Sequence, residues 1–445
     1  MTVLTAISIA GGFTYRGEQG YAGATCEKDA IASRIAPLCL HWRNLTMSSL
    51  STSEGSSVRL NIAAFAGGFA TFINMWCTQA LLPVLAAAFH VSEARTGLTV
   101  TAPLVATAVT APVVGLISDR FGRKKFIVGA ALLLLVPTIL AATSWSFNEL
   151  VLCRFVQGLM LPFIFTITIA YIGEETSGGT AARLAGTYLS GAIFGGFFGR
   201  LLAGLMTANF GWRAAFWAIA ALTLALAGII AATLPKEKLF RPIHGLRRAL
   251  GAFALHLGNV RLMATCAVGF GVLFNLVATF TFINFRLAAA PYFLGPAALG
   301  GIFVVYLGGV VMSPVSARLA NRFGRRRVMA VAAPLAWAGL GLTLASPLWL
   351  IGIGLLLMCS GIFMQQTLAT AFVSVAAREA KSTAVGLYVA IYYVGGSAGG
   401  VVPGELWHEY GWPGCVAVVC AMQLAMLAAA LRFWTPVPAL HVEHM

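Results

Sequence analysis

The sequence predicts an all-α polytopic membrane protein, with twelve spanning helices arranged as two six-helix bundles around a central cavity. Three observations predict it: a composition too apolar for water, a series of bilayer-length apolar tracts, and an internal repeat that divides them six and six. The 445 residues are 59% hydrophobic and only 10% charged, whereas a soluble domain carries roughly a quarter charged residues. Most of this surface must therefore face something other than water.

Tracts of about 20 apolar residues span the hydrocarbon core as helices. Twelve are read, near 61–85, 96–118, 126–144, 148–172, 182–207, 213–234, 262–285, 297–317, 328–346, 348–372, 382–405 and 412–433. Barrel strands would show short alternating segments instead, and none is seen. Beyond its opening Asn61, the first tract carries Asn74 and Gln79 as strongly polar residues. The second ends in "GLISDRFGRKK" (115–125) and the eighth in "ARLANRFGRRR" (317–327). The fourth contains Arg154, Gln157 and Gly158, and the fifth carries Arg200 together with Gly191, Gly195, Gly196 and Gly199. Asn275 lies in the seventh tract, Gln365 and Gln366 in the tenth, and Tyr388, Tyr392, Gly395 and Gly399 in the eleventh.

Sliding the chain against itself shows the repeat. At an offset of 202, Asp119-Arg120-Phe121-Gly122-Arg123-Lys124 meets Asn321-Arg322-Phe323-Gly324-Arg325-Arg326. At an offset of 200, Gly186, Tyr188, Gly195-Gly196, Gly199, Gly204 and Gly211-Trp212 meet Gly386, Tyr388, Gly395-Gly396, Gly399, Gly404 and Gly411-Trp412. Because six is even, both copies cross the membrane in the same sense, a parallel repeat about the membrane normal with a cavity between the bundles. The expected organisation is a tail at 1–59, a first bundle at 60–234, a linker at 235–260, a second bundle at 261–433 and a tail at 434–445. "SSLSTSEGSS" (48–57) reads as disordered, and Met47 is a second candidate start. In the linker, Leu246, Leu250, Phe253 and Leu257 share one helical face, which suits either the membrane surface or the floor of the bundle.

The net charge of +15 raises nucleic acid as a partner, but its placement excludes that reading. With the N-terminus in the cytoplasm, loops on that side hold 18 Lys or Arg and the outer loops hold three, Arg95, Arg213 and Arg286. That asymmetry orients helices during insertion, so both termini are expected in the cytoplasm. The eight Cys form no CxxC pair and no His, Cys and carboxylate cluster has metal-ligand spacing, so neither metal nor cofactor is expected. An enzyme would need a nucleophile–base pair, a metal cluster or a nucleotide loop, and the sequence has none. A P-loop lysine motif is also missing, which argues against ATP drive. A non-transporting sensor usually carries an output domain, and both tails are short.

The loop after the second helix resembles the G-x-x-x-D-R-x-G-R-K motif of the major facilitator superfamily, through Gly115, Asp119, Arg120, Gly122, Arg123 and Lys124. The resemblance covers about 61–433 and implies a secondary transporter working by alternating access. It makes Asp119, paired with Arg123, a conformational latch at the start of the eleventh helix, where a carboxylate near a helix N-terminus gains about 0.3–1 kcal/mol. "LCRFVQG" (152–158) is similar to the fourth-helix pattern of proton-coupled exporters. The fifth-helix antiporter pattern G-x-x-x-G-P-x-x-G-G is matched at Gly191, Gly195 and Gly199, but Gly196 replaces its Pro and Arg200 its last Gly. "GGFFGR" and "AYIGEE" are similar to arabinose-efflux-type or inner-membrane drug exporters. The resemblance therefore implies a monomeric exporter of the inner (plasma) membrane, with lipid, a small-molecule substrate and protons as its partners. Import is the competing direction, since the fold serves both.

An intramembrane arginine costs roughly 2.5–3.5 kcal/mol on insertion scales and marks a functional site by default. Arg154 is accordingly the first candidate for proton coupling or substrate, with Gln157 and Gly158 completing its motif. For Arg200, snorkelling or packing weighs as much as function. No Asp or Glu lies deep in the first half, so its cavity is expected to be electropositive, favouring neutral or anionic substrates, and a proton carrier is hard to find. Glu149 and Glu405 are the acids nearest helix ends that a proton path would use, while Glu174 and Glu175 are expected to face water. Asn74, Gln79, Asn275, Gln365, Gln366, Tyr388 and Tyr392 are expected to line the cavity. Gly191, Gly195, Gly196, Gly199, Gly395 and Gly399 are expected at the interface between halves, where small residues let helices approach closely.

Overall fold

The computed structural model describes residues 58–121, 123–176, 178–237, 255–377 and 379–434, without the side chains at 115–121, 178, 179, 182 and 382. The tails at 1–57 and 435–445 and most of the linker, including Leu246, Leu250 and Phe253, lie outside these residues.

Within them the chain is helical. α1 covers 58–76, opens at 77–81 and resumes over Leu82–Phe89. Pro83 in the first turn of the second piece explains the restart, because proline lacks an N–H and fits where that donor has no partner anyway. α2 (Leu98–Phe121), α3 (Arg123–Thr143), α4 (Phe147–Glu175), α5 (Gly178–Phe210) and α6 (Trp212–Thr233) complete the first half. α7 (Val260–Ala288), α8 (Pro296–Phe323), α9 (Arg325–Leu342), α10 (Leu348–Ala376), α11 (Lys381–Gly399) and α12 (Pro403–Phe433) follow. Nine of the described helices are long and apolar enough to cross a bilayer. α1, α9 and α11 complete the twelve; α1 is divided, α9 opens on three arginines, and α11 breaks at 400–402 before Pro403.

The repeat is written into the backbone. Gly211 between α5 and α6 has φ +84°, and Gly411, at the offset of 200, has φ +60° within Pro403–Phe433. Only glycine adopts this region without a steric penalty, so 403–410 extend the path of α11 and the twelfth span begins at Trp412. The helix pairs repeat as well. A Cβ at Gly195 or Gly199 of α5 would stand 2.5 or 2.8 Å from the carbonyls of Phe69 or Ile73 in α1. One at Gly395 or Gly399 of α11 would stand 2.1 or 2.4 Å from those of Phe270 or Phe274 in α7.

Contacts between the halves gather at the end away from the 122–125 and 324–327 loops. There α2 meets α11, with the Thr101 hydroxyl donating to the Ser397 carbonyl at 3.0 Å and Gly97 packed on the Gly400 carbonyl. α5 meets α8, where Gly204 lies against the Pro296 carbonyl and Gly300 against the Arg200 carbonyl. The Asn284 amide of α7 donates to the Gln79 carbonyl at 2.8 Å. Further in, the rings of Phe165 and Tyr393 are 6.2 Å apart.

Candidate functional site: an arginine at the wall of the central cavity

Below this closure lies a cavity of about 100 Å³ between the halves. Phe72 and Trp76 of α1, Gly196 and Arg200 of α5, Leu273 and Val277 of α7, Tyr306 of α8, Phe363 of α10 and Tyr392 of α11 line it. Phe72 and Trp76 are one helical turn apart, so one stripe of α1 faces the cavity. Gly196 is one turn before Arg200 on α5 and leaves space there, since a Cβ on it would find the Arg200 guanidinium no nearer than 3.5 Å.

Arg200 is 4% exposed. Its Nε and Nη2 donate to Gln79 Oε1 at 2.9 and 2.7 Å, and Nη1 donates to the Gly196 carbonyl at 2.7 Å. Its guanidinium carbon lies 4.8 Å from the ring centre of Trp76, 4.3 Å from Phe303 and 5.1 Å from Tyr306. Each such contact is worth about 0.5–2 kcal/mol. Every described partner of this cation is neutral.

Arg154, the other buried arginine of the first half, sits elsewhere. It is fully buried and donates to the carbonyls of Asn74 (2.7 Å), Met75 (2.6 Å) and Thr99 (3.0 Å), and to Gln157 Oε1 (2.5 Å). Asn74 and Met75 end the first part of α1, where the carbonyls lose their intrahelical partners. Arg154 thus closes the break in α1 and ties it to α2 and α4. Gln157 continues the network to Thr138 of α3 at 2.7 Å, and Asn74 reaches Thr223 of α6 at 2.8 Å. Gly158 receives the backbone of Pro103 in α2. The acids considered as partners for Arg154 lie apart from it. Glu149 caps α4, accepting from the backbone N–H groups of Trp145 and Ser146, and Glu405 is exposed in the first turn of α12.

Of the residues expected to line the cavity, Tyr392 does so and Gln79 holds Arg200 beside it. Asn74 instead joins the Arg154 network. Asn275 donates to Met426 Sδ at 3.2 Å, Gln365 to Gln423 at 2.8 Å, and Gln366 to Thr370 at 3.0 Å and Tyr388 at 3.3 Å. These bonds join helices of the second bundle to one another or stay within α10, as intramembrane amides often do. Tyr388 is buried against Gly269 of α7. The glycines also need correction. Gly191, Gly195 and Gly199 face α1 and Gly395 and Gly399 face α7, both inside one half, while Gly196 faces the cavity. Among the glycines packed across the halves are Gly97, Gly204, Gly300, Gly396, Gly400 and Gly404.

In the basic loop, Gly122 and the side chains of Gly115, Asp119 and Arg120 lie outside the described residues. Arg123 is 5% exposed and forms a bidentate ion pair with Glu174 at the foot of α4, with Nε–Oε2 at 2.7 Å. Lys124 donates to the Leu234 carbonyl at the end of α6. Glu174 was expected to face water; it is instead half-buried and paired. Its signal was its position, at the same end of the bundle as the Arg123 loop. Trp76, Phe303, Tyr306 and Asn284 were missed too. Helical spacing from Gln79 pointed to Trp76, but nothing local marks a residue brought in from α7 or α8.

The family model for the Major Facilitator Superfamily matches residues 64–312 and 302–444. The chain is 33% identical over 376 residues to the inner membrane transport protein YnfM of Escherichia coli K12, covering 84% of this chain and 90% of that one. It is 30% identical over 372 residues to an uncharacterised transporter of Buchnera aphidicola subsp. Schizaphis graminum, covering 83% and 90%. Its fold is similar to the nucleoside transporter NupG (TM-score 0.70, 16% identity, 85% of this chain and 100% of that one). It is also similar to the human organic anion transporter MFSD10 (TM-score 0.61, 18% identity, 84% and 99%). A bacterial homologue of the lysosomal transporter Spinster, inward-facing and unoccupied, gives a TM-score of 0.67 at 15% identity, over 85% and 95%. The family model covers most of the chain, and the chain belongs to the Major Facilitator Superfamily as a multi-pass membrane transporter.

Proposed function

We propose that the protein is a secondary active exporter that exchanges small organic molecules, such as drugs, sugars or aromatic and organic acids, for protons. The observation that carries this reading is the apolar cavity between the halves, sealed by α2–α11 and α5–α8 contacts at one end only among the described contacts. With the cation-rich loops in the cytoplasm, the sealed end is the outer one, and the cavity is in the state from which an exporter loads. The inward-facing Spinster homologue among the similar folds supports that assignment. The name of YnfM supports the inner membrane as the location. The basic loop serves as the latch of the cycle, with Asp119 and the Arg123–Glu174 pair at its cytoplasmic face. Asp119→Asn is expected to leave the protein inserted and slow transport; an unchanged rate removes the latch.

The test uses purified protein in liposomes with a pH-sensitive dye inside and a panel of drugs, sugars and aromatic acids outside. Substrate-dependent proton movement is expected. Substrate movement without proton movement overturns proton coupling and favours a uniporter or importer. One observation supports that second reading: among the described residues no Asp or Glu lies mid-span, with Glu149, Glu174 and Glu175 in the terminal turns of α4, Glu405 and Glu409 near the start of α12, and Asp119 at the end of α2.

A further inference from the structure

We propose that Arg200 is a carboxylate anchor, and that the substrate class is a small, largely apolar monocarboxylic acid. This rests on the reading of the protein as a transporter and narrows its substrate.

A guanidinium presents five N–H donors in a planar fork. The bonds to Gln79 and Gly196 occupy three, which leaves two among the described contacts, one each on Nη1 and Nη2. Both remaining donors are on the terminal nitrogens, the ones that can donate to a carboxylate. Both the position and the aim of the fork are fixed. Trp76, Phe303 and Tyr306 surround it with rings, and Gln79 holds its Nε–Nη2 edge. A buried cation with only neutral partners carries a desolvation penalty that an incoming anion relieves. Water is the weaker competitor here, because the cavity beyond the fork is walled by Phe72, Leu273, Val277 and Phe363.

The remaining substrate classes fit worse. An organic cation would meet Arg200 with like charge. A sugar needs several polar partners along its length, and the walls opposite Arg200 are hydrocarbon. A single ring or short chain with one carboxylate satisfies the charge and suits the apolar walls. The two departures from the fifth-helix antiporter pattern, Gly196 and Arg200, both line this site, beside Ala192, Ile193 and Phe197 of the same helix.

The experiment is titration calorimetry on the purified full-length protein with benzoate, its neutral analogue benzamide, octanoate, chloride and phosphate. Benzoate or octanoate is expected to bind about 10- to 100-fold more tightly than benzamide, the value of a charge-assisted contact. Arg200→Gln is expected to remove that preference. Gln79→Glu places a carboxylate beside the guanidinium and is expected to do the same while raising thermal stability, so the result survives poor folding of the first variant. Equal binding of benzoate and benzamide, no binding of either acid, or acid binding untouched by both variants overturns the proposal. Displacement of benzoate by chloride or phosphate at equal concentration also overturns it, making the anion inorganic. Flux of the same probes into liposomes separates the two levels. Bound benzoate that is never moved leaves the anchor and removes the transporter cycle; movement of neutral solutes alone leaves the cycle and removes the anchor.

Discussion

Arg154 and Arg200 have the same chemistry, the same half of the molecule and nearly the same burial, yet their surroundings assign them different work. Arg154 bonds three backbone carbonyls and one amide oxygen, all on elements of its own half. Arg200 bonds one side chain and one carbonyl, is boxed by rings from both halves, and faces the cavity. An intramembrane charge marks function in both cases, but its partners decide which function: one arginine mends a helix break, the other waits on a mobile ligand. Depth in the membrane alone does not separate them.

The sharpest way to break this comparison is Arg154→Ala. It strips partners from the carbonyls of Asn74, Met75 and Thr99 and from Gln157, and buried polar groups left unmatched cost about 1–3 kcal/mol each. The net expectation is a loss of about 3 kcal/mol or more, from several unmatched acceptors and the lost side-chain packing. In detergent the variant should elute as aggregate or melt far below the parent, while Arg200→Lys should elute as the parent does. A stable Arg154→Ala protein lacking transport would return Arg154 to the transport machinery.

The glycines of α5 give the next largest effect. A Cβ at Gly195 stands 2.5 Å from a backbone oxygen of α1, which cannot step aside, whereas one at Gly196 has nothing nearer than 3.5 Å. Gly195→Leu should destabilise by about 1–3 kcal/mol or more through overpacking. Gly196→Ala should leave the melting temperature near the parent's and raise the substrate KM, because its methyl points at the cavity. Melting curves and uptake kinetics on the two adjacent variants check this together. Equal loss of stability in both would mean the two faces of α5 are not distinct.

These contrasts show what the sequence makes legible. Twelve spans and the sixfold division follow from apolar length and from matched glycines, signals that survive without knowledge of packing. Gly211 and Gly411 show why: both sit at a backbone turn that excludes other residues, so the repeat is held by local geometry. Which helix a face meets is a tertiary property. The spacing of Gly191, Gly195 and Gly199 reveals a close approach, but α1 rather than the other half fills it. Asn74, Asn275, Gln365 and Gln366 read as cavity residues for the same reason, since an amide that joins neighbouring helices and one that meets a ligand look alike in sequence. Arg200 was visible as a charge, but Phe303 and Tyr306, brought in from the other half, supply two of its rings and were not.

The smallest effect tests the membrane-end counterpart of these buried cations. Arg123 is nearly as buried as Arg200, but it has a carboxylate partner in Glu174, whose side chain is 35% exposed. Water around that carboxylate screens the pair, so Glu174→Gln should cost no more than about 1 kcal/mol. The difference from the parent should also shrink as salt is raised from about 0.1 to 1 M, where the screening length falls from about 10 to 3 Å. Arg200 offers the opposite case, since its described partners are rings and neutral oxygens, whose attraction salt screens little. Melting both Glu174→Gln and Arg200→Gln across that salt range should therefore give a difference that fades for the first and persists for the second. If both fade alike, Arg200 is held by a charged partner, and a carboxylate would gain far less there than its neutral contacts imply.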